Sequence, residues 1–439
     1  MSIIDSVKGA PDLLPPVSSG FNAIESAMLT TALTYGYERI RTPVFEHTEV
    51  FARGVGASTD IVNKEMYTFE DKGGRSLTLR PEGTAGIMRA ALSAGIPRGG
   101  VLPWKVSWVG EVFRYERPQS GRQRSFTQMD VEALGTTDPA IDAEMIILGW
   151  DALRNAAATA GKTFDESNLE VRLNTLGDRA DRPAYHAALN AYLDQFETQG
   201  KLPKDVLERR HLNPLRAFDS KAEGMAEIMA NAPVIKDHIS EAATEHHRQV
   251  VALLDAEGIP VIHDDHLVRG LDYYTRTTFE YQATNLGAQS AVGGGGRFDG
   301  LAEDLGWNEP FQGIGLALGV DRTYLSIYGV SPGDPNPGLA RTPRVDVFGI
   351  PMAPHHGPRV FHLITALRRA GIRAEMGEST RKPRALFKSA DRAGAQFAII
   401  IGDDEMMNDE VTVKHLATGE QHTCPQDVAV LGSIVRTSD

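Results

Sequence analysis

The segment Phe113 to Glu132, FRYERPQSGRQRSFTQMDVE, restricts the possible folds more than any other stretch of the chain. Arg114 and Glu116 stand two apart. A polar turn follows at Ser120 and Gly121, and Arg122 and Phe126 lead into Gln128, Asp130 and Glu132 at every second position. Side chains two apart project from one face of a strand. The spacing predicts an antiparallel hairpin whose floor carries cations for a polyphosphate and carboxylates for a small cationic ligand. Guanidinium suits a phosphate because its donors form a rigid fork. A solvated hairpin with scattered surface charge would show the same pattern, so the other clusters carry the decision.

Three such clusters stand out. In GIGLALGVDR, residues 313–322, small residues at a strand-to-helix turn let a ligand approach the backbone, and Arg322 is placed to stack on a base or meet a phosphate. This run is neither a P-loop nor a G-x-G-x-x-G fingerprint, and a tightly packed turn is the plain alternative. In Arg269-Gly270-Leu271-Asp272-Tyr273-Tyr274 an arginine sits beside a glycine and two tyrosines. If that segment is extended, the two rings point to opposite faces, one to the core and one to a ligand. In RPEGTAG, Glu82 and Thr84 stand at the start of a helix expected over 83–95, where a carboxylate and a hydroxyl are also the ordinary N-terminal cap.

The rest of the chain organises these clusters. With 439 residues, about three domains are expected. Phe21, Ile24, Met28, Leu29 and Ala32 follow helical spacing up to Gly36. The strand-like run YERIRTPVFEHTEVF bends at Pro43, and a hairpin over 63–80 turns at Asp71 to Gly74. Residues 166–255 are rich in alanine, charge and helical periodicity, and read as an inserted helical subdomain between strand-rich blocks at 1–165 and 256–328. Within it, LNPLRAFDSK reads as a loop-to-helix junction without chemistry. The stretch 329–342, dense in proline and glycine, is a linker. Beyond it, 343–435 alternates strands and helices, with Val360, Phe361, Ile364 and Leu367 expected on one helix face. The fold class is α+β.

Composition excludes several roles. A net charge of -13 disfavours indiscriminate nucleic-acid binding, because the long-range field repels phosphate. Cys424 is the only cysteine, which excludes an intrachain disulfide and a cysteine metal site and suits a reducing cytoplasm. The start MSIIDSVKGAPDLLPP does not have the pattern of a signal peptide, and no apolar run approaches membrane-spanning length.

Taken together, the clusters resemble the histidyl-tRNA synthetase family of the class II aminoacyl-tRNA synthetases over nearly the whole chain. RTPVFEHTEVF, FRYERPQ…RQRSF and GIGLALGVDR are similar to the three class signatures. LVRGLDYY resembles the family's histidine-recognition motif, and GGGGRFDGL its glycine-rich partner. The resemblance implies a class II antiparallel-sheet catalytic domain with a helical insertion, followed by a small α/β anticodon-binding domain. It implies L-histidine, ATP with Mg2+, and tRNA(His) as ligands, and a homodimer formed through the Pro43 region, with no membrane. Arg114 would hold the α-phosphate and Arg122 the γ-phosphate, with Phe126 and Arg322 sandwiching adenine. Glu82, Thr84 and Gln128 would hold the α-amino group, and Glu132 and Tyr274 would read the imidazole, with Gly83 and Tyr273 in the same histidine site. Arg269 would stand near the α-phosphate and the substrate carboxylate, and Arg117 and Gln119 near the tRNA acceptor end. The resemblance names no magnesium ligands.

Chemistry agrees with these roles. The reaction brings a carboxylate to a phosphate, so cations must screen the repulsion, and no base is needed because a carboxylate is already a nucleophile. Arg114 and Arg269 are therefore the expected catalytic pair. The family commonly has tyrosine where this chain has Phe298, so that hydroxyl contact is not carried over. Arg368, Arg369, Arg381, Lys382, Arg384, Lys388 and Arg392 concentrate positive charge in the C-terminal unit of an acidic chain, which suits RNA. Two other roles fit these residues less well. A histidine-sensing paralogue that regulates ATP phosphoribosyltransferase usually lacks an anticodon-binding domain and parts of the ATP site, whereas this chain has residues 343–435 and Arg122. A class II enzyme for threonine or proline would not explain RGLDYY and Glu132.

Overall fold

The computed structural model describes residues 4–436, apart from 57, 58, 166, 212, 221, 288, 289, 335–337 and 339–342. Half of the expected linker, at 335–337 and 339–342, therefore lies outside the described residues. The chain divides into two compact units, Met1–Pro337 and Gly338–Asp439.

The first unit is built on eleven strands among the described residues: β1 (Glu38–Arg39), β2 (Phe45–His47), β3 (Thr68–Glu70), β4 (Ser76–Leu79), β5 (Trp104–Phe113), β6 (Ser125–Leu134), β7 (Leu169–Thr175), β8 (Val261–His263), β9 (Thr275–Ala283), β10 (Ala291–Arg297) and β11 (Gly313–Gly319). Eight of them form one sheet in the order β1-β5-β6-β11-β10-β9-β7-β8. The pairs β1–β5 and β7–β8 are parallel and the others antiparallel. β2, β4 and β3 make a separate three-stranded sheet.

The long hairpin β5–β6 forms because Val106, Trp108 and Val112 alternate on the buried side, while the connecting loop closes on a tight turn. Gln119 N–H donates to the Arg122 carbonyl at 3.0 Å and Arg122 N–H to the Gln119 carbonyl at 2.9 Å, with Gly121 at φ 70° between them. Pro43 lies in the irregular segment between β1 and β2. The helices Val17–Thr34 and Pro139–Ala158 pack together on the sheet; Asp138 caps the second by accepting from Ala140 N–H at 2.9 Å.

The helical stretch differs from the sequence reading at its start. Residues 169–175, placed in the insertion by composition, form β7 of the large sheet, paired to β9 and β8. At the other end, the helix Glu241–Ala256 packs against Pro139–Ala158. Between them lie the helices Arg182–Glu197, Lys204–Arg209 and Met225–Ala230 and two short 3-10 turns. Leu189, Leu193, Val206 and Met225 of this region share one apolar cluster with Tyr273, Tyr274 and Phe298. The region is thus packed directly behind the tyrosine pair.

The second unit is a five-stranded sheet flanked by helices. Its strands are β12 (Val347–Pro351), β13 (Ala374–Met376), β14 (Phe397–Ile401), β15 (Glu410–His415) and β16 (Gln421–Pro425), in the order β13-β12-β14-β15-β16. In the helix Gly357–Arg369, Val360, Leu363, Ile364 and Leu367 face the core. Phe361 does not join them: it is 59% exposed, because one residue turns the helix by about 100°. Among the described residues, no helix is long and apolar enough to cross a membrane.

Candidate active site

The floor of the site is the face of β6 that carries Gln128, Asp130 and Glu132, all buried. β5 flanks it on one side and β11 on the other, and the hairpin loop, the start of the helix Thr84–Ser93 and the 269–274 loop surround it. Two cavities meet there. A cleft of about 410 Å³ is lined by Arg114, Arg122, Phe126, Glu280 and Arg322, among others. A smaller pocket of about 70 Å³ is lined by Glu82, Thr84, Asp130, Tyr273, Tyr274 and Phe298. Arg114, Gln128, Arg269 and Ala317 line both.

In the cleft, the Arg114 guanidinium lies 5.3 Å from the Phe126 ring centroid, and its Nε donates to the Pro81 carbonyl at 2.9 Å. Arg122 pairs with Glu116 at 2.9 Å. Arg322 donates to the Ala291 carbonyl and, at 3.2 Å, to that of Gly121, so it bridges the end of β10 and the hairpin turn. Arg269 pairs with Glu280 on β9. Glycines of β10 leave room for both side chains: a Cβ at Gly294 would stand 2.9 Å from the Arg269 guanidinium carbon, and one at Gly296 would stand 2.8 Å from the Tyr274 ring. Asp321 accepts from Thr127 N–H at 2.7 Å and ties the helix Val320–Tyr328 to β6.

In the pocket, Glu82 accepts from Thr84 N–H at 2.8 Å and from Ala85 N–H at 3.0 Å. It is therefore the cap of the helix as well as a wall of the site; a carboxylate has lone pairs enough for both. Thr84 Oγ1 donates to Glu132 Oε1 at 2.6 Å. The Tyr273 and Tyr274 rings are edge to face at 4.7 Å, and Phe298 meets Tyr273 at 5.7 Å. The expectation of opposite faces fails because the two tyrosines occupy a turn ahead of β9, not a strand. Burial pushes the Tyr274 phenol up to about 12, so it is a neutral donor.

The structure thus brings together Arg114, Arg122, Phe126, Gln128, Arg269 and Arg322 around the cleft, and Glu82, Gly83, Thr84, Glu132, Tyr273 and Tyr274 around the pocket. Arg117 and Gln119 are exposed on the hairpin loop and line neither cavity. Sequence reasoning left out a supporting set. Asn213 and Arg216, in the segment read as a plain junction, donate to Asp272 Oδ1 at 2.8 and 2.6 Å, and Arg216 also donates to the Arg269 carbonyl at 3.2 Å. They hold the loop that carries Arg269 and the tyrosines. No local pattern marks them, because their partners lie over 50 positions away. Asp130 was visible in the alternation but received no role of its own.

Glu116, Glu280 and Asp321 are acidic side chains of the cleft. Elsewhere among the described residues, His355, His356 and Asp403 of the second unit stand close enough to interest a cation. However, His356 Nδ1 accepts the Ala353 N–H at 3.1 Å, so a neutral ring carries its proton on Nε2, facing Asp403 at 3.0 Å. That nitrogen is committed to a hydrogen bond, not open for a metal.

Comparison with known proteins agrees with this geometry. A family model described as histidyl-tRNA synthetase matches residues 9–323, and one described as an anticodon binding domain matches residues 346–430. A histidine--tRNA ligase of Nocardia farcinica is 45% identical over 99% of this chain and 97% of its own. That of Corynebacterium urealyticum is 48% identical over 96% of this chain and 94% of its own. The crystal structure of apo S. aureus histidyl-tRNA synthetase superposes with a TM-score of 0.77 at 33% identity, covering 99% of each chain.

Proposed function

This chain belongs to the histidyl-tRNA synthetase family, a group of ATP-using ligases that activate L-histidine as the adenylate and transfer it to the 3′ end of tRNA(His), and from that premise we propose which of its residues perform each step. The observation that carries the assignment is the set of residues shared by the two cavities. Arg114, Gln128 and Arg269 stand where an amino acid in the 70 Å³ pocket would meet a nucleotide in the 410 Å³ cleft.

In the first step a carboxylate oxygen of histidine attacks the α-phosphorus, the bond to the β-phosphate oxygen breaks, and pyrophosphate leaves. Two anions must approach and charge builds on phosphorus. Arg114 and Arg269 offset both effects, and being fixed they need no reorganisation. The carbonyl bond to Arg114 and the Glu280 pair on Arg269 support that rigidity. Arg122 takes the γ-phosphate, and Phe126 and Arg322 take the two faces of adenine. Mg2+, when bound to ATP, neutralises part of the triphosphate charge. Such an ion takes one or two carboxylates beside the phosphate oxygens, and Glu116 and Glu280 are the cleft residues that suit it.

In the pocket, Glu82, Thr84 and Gln128 receive the α-amino group, with Gly83 leaving room. Glu132 and Tyr274, with Tyr273 behind, receive the two ring nitrogens. A pocket that bonds both nitrogens rejects isosteres, because its own polar groups would be left unpaired. In the second step a ribose hydroxyl of the tRNA attacks the activated carbonyl and AMP departs. Arg117 and Gln119, exposed on the loop, meet the acceptor end. The second unit contacts the anticodon. Val44, Phe45 and Phe69 leave exposed apolar surface on the small sheet region, which supports a homodimer through that side. ATP and tRNA as ligands suit a cytoplasmic setting.

Arg269→Ala tests the assignment. Histidine-dependent pyrophosphate exchange is expected to slow by about 100-fold, the scale of losing one fixed charge donor. Exchange at near the parent rate would remove Arg269 from the mechanism.

A further inference from the structure

Asp130 has no part in the assignments above. It lies between Gln128 and Glu132 on β6, is 1% exposed, and lines the amino-acid pocket. Its Oδ1 accepts from Gln128 Nε2 at 3.3 Å, while its Oδ2 is buried without a hydrogen bond. Oδ2 stands against the backbone of Gly83, where a Cβ would lie 1.9 Å from it. The Gly83 amide faces the carboxyl outside hydrogen-bonding geometry, so it acts only as a nearby dipole.

Charged groups converge on Asp130 from every side. Glu82 faces it from the helix entrance, Glu132 from its own strand and Arg114 from the hairpin. Arg80 stacks over Trp108, the cross-strand neighbour of Asp130 on β5. Arg269 and Tyr273 line the same pocket. Burial first, and then the charge of Glu82, pushes the Asp130 carboxyl up to about 8, against the pull of Arg114 and Arg80. Burial raises Glu82 and Glu132 as well. Even with Arg114 and Arg269 lining the pocket, three buried carboxyl groups in so small a space do not all ionise without a further cation among them.

The substrate supplies that cation. Both Glu82 oxygens already accept backbone amides, and Glu132 is tied to Thr84. Asp130 Oδ2 and Gln128 Oε1 are both buried pocket oxygens without a donor, and of the two only Asp130 can carry a charge to match an ammonium. We propose that Asp130 is a further substrate-binding residue of the amino-acid site, the counter-ion of the substrate α-ammonium, which is protonated in the empty pocket and gives its proton to solvent as histidine binds. The protons balance: neutral carboxyl and ammonium become an ion pair plus one released proton. The claim rests on the reading of this pocket as the histidine site.

Calorimetric titration of the full-length protein with L-histidine, near pH 7.5 in two buffers of different ionisation enthalpy, counts the protons released. The parent protein is expected to release close to one per site. Asp130→Asn keeps the shape and removes the charge. It is expected to release less than about half as much and to raise the histidine KM by about 10-fold or more, with kcat little changed. Between about pH 6.5 and 8.5 the parent KM should fall as pH rises, and that of the variant should stay flat. Equal proton release and equal KM in D130N would overturn the proposal. If D130N does not fold, the parent decides alone, since buffer-independent heats would overturn it. Thr84→Val separates the two readings. If T84V weakens histidine while D130N is silent, only the role of Asp130 falls; if neither changes KM, the pocket assignment falls with it.

Discussion

Gly315 and Glu132 are cross-strand partners on β11 and β6, and the Glu132 carboxylate fills the space that a side chain at 315 would need. A Cβ there would stand 1.7 Å from Glu132 Oε2 and 2.9 Å from the Val131 carbonyl oxygen. Glu132 is fully enclosed, so it cannot swing aside. Gly315→Ala is therefore expected to displace the carboxyl group proposed to read the imidazole and to raise the histidine KM by about 10-fold or more, with the ATP KM nearly unchanged. Steady-state pyrophosphate exchange with each substrate varied measures both. A larger effect on ATP would place residue 315 on the wrong side of the site.

A second prediction concerns the buried charge beneath β10. Asp142 accepts from Arg297 at 3.2 Å through Nε and again through Nη2, from His246 at 2.8 Å and from Thr277 at 2.6 Å. Arg297 has no exposed surface. Asp142→Ala removes the bidentate partner of this guanidinium and leaves it Asp299 at 3.1 Å and the Thr136 carbonyl at 2.7 Å, so the expected loss is about 3 kcal/mol, the lower end for a broken buried pair, and urea unfolding at neutral pH measures it. Burial alone would raise the Asp142 carboxyl, but His246 and Arg297 hold it below its usual value. A depressed native pKa contributes stability above the unfolded-state value and loses it as pH falls through the native one. The gap between parent and variant should therefore narrow below about pH 4. A gap independent of pH would show that the loss comes from packing.

The division of labour between the two units gives a third. Met1–Pro337 and Gly338–Asp439 each have their own core. A protein ending near residue 337 is expected to retain histidine-dependent pyrophosphate exchange and to charge tRNA(His) with an efficiency lower by about 10-fold or more. Charging at the parent rate would assign the second unit another task.

The hairpin was legible in the sequence because its signal is local. Strand alternation and a Ser120-Gly121 turn suffice, and the ladder from Trp104–Leu134 to Phe113–Ser125 follows. β7 carried the same kind of signal, with Leu169, Val171 and Leu173 alternating with Glu170, Arg172 and Asn174. The alanine-rich surroundings outweighed it, since seven residues weigh little against a long helical texture. The Tyr273–Tyr274 turn was hidden for another reason. A residue pair reads as extended unless something local bends it, and here the loop is held by Asn213, Arg216 and Arg182 from the helical region.

The chain by itself determined which groups take part: guanidinium, carboxyl, phenol and glycine at set spacings, and hence the family and its reaction, because each chemistry demands particular atoms. The tertiary structure decided which of those groups share a cavity and what charge they bear there. Asp130 is an ordinary aspartate in a strand until Glu82 and Glu132 are folded against it away from water, and only then does its proton become part of substrate recognition. Solvation and proximity are properties of three-dimensional neighbours, so no spacing along the chain encodes them directly.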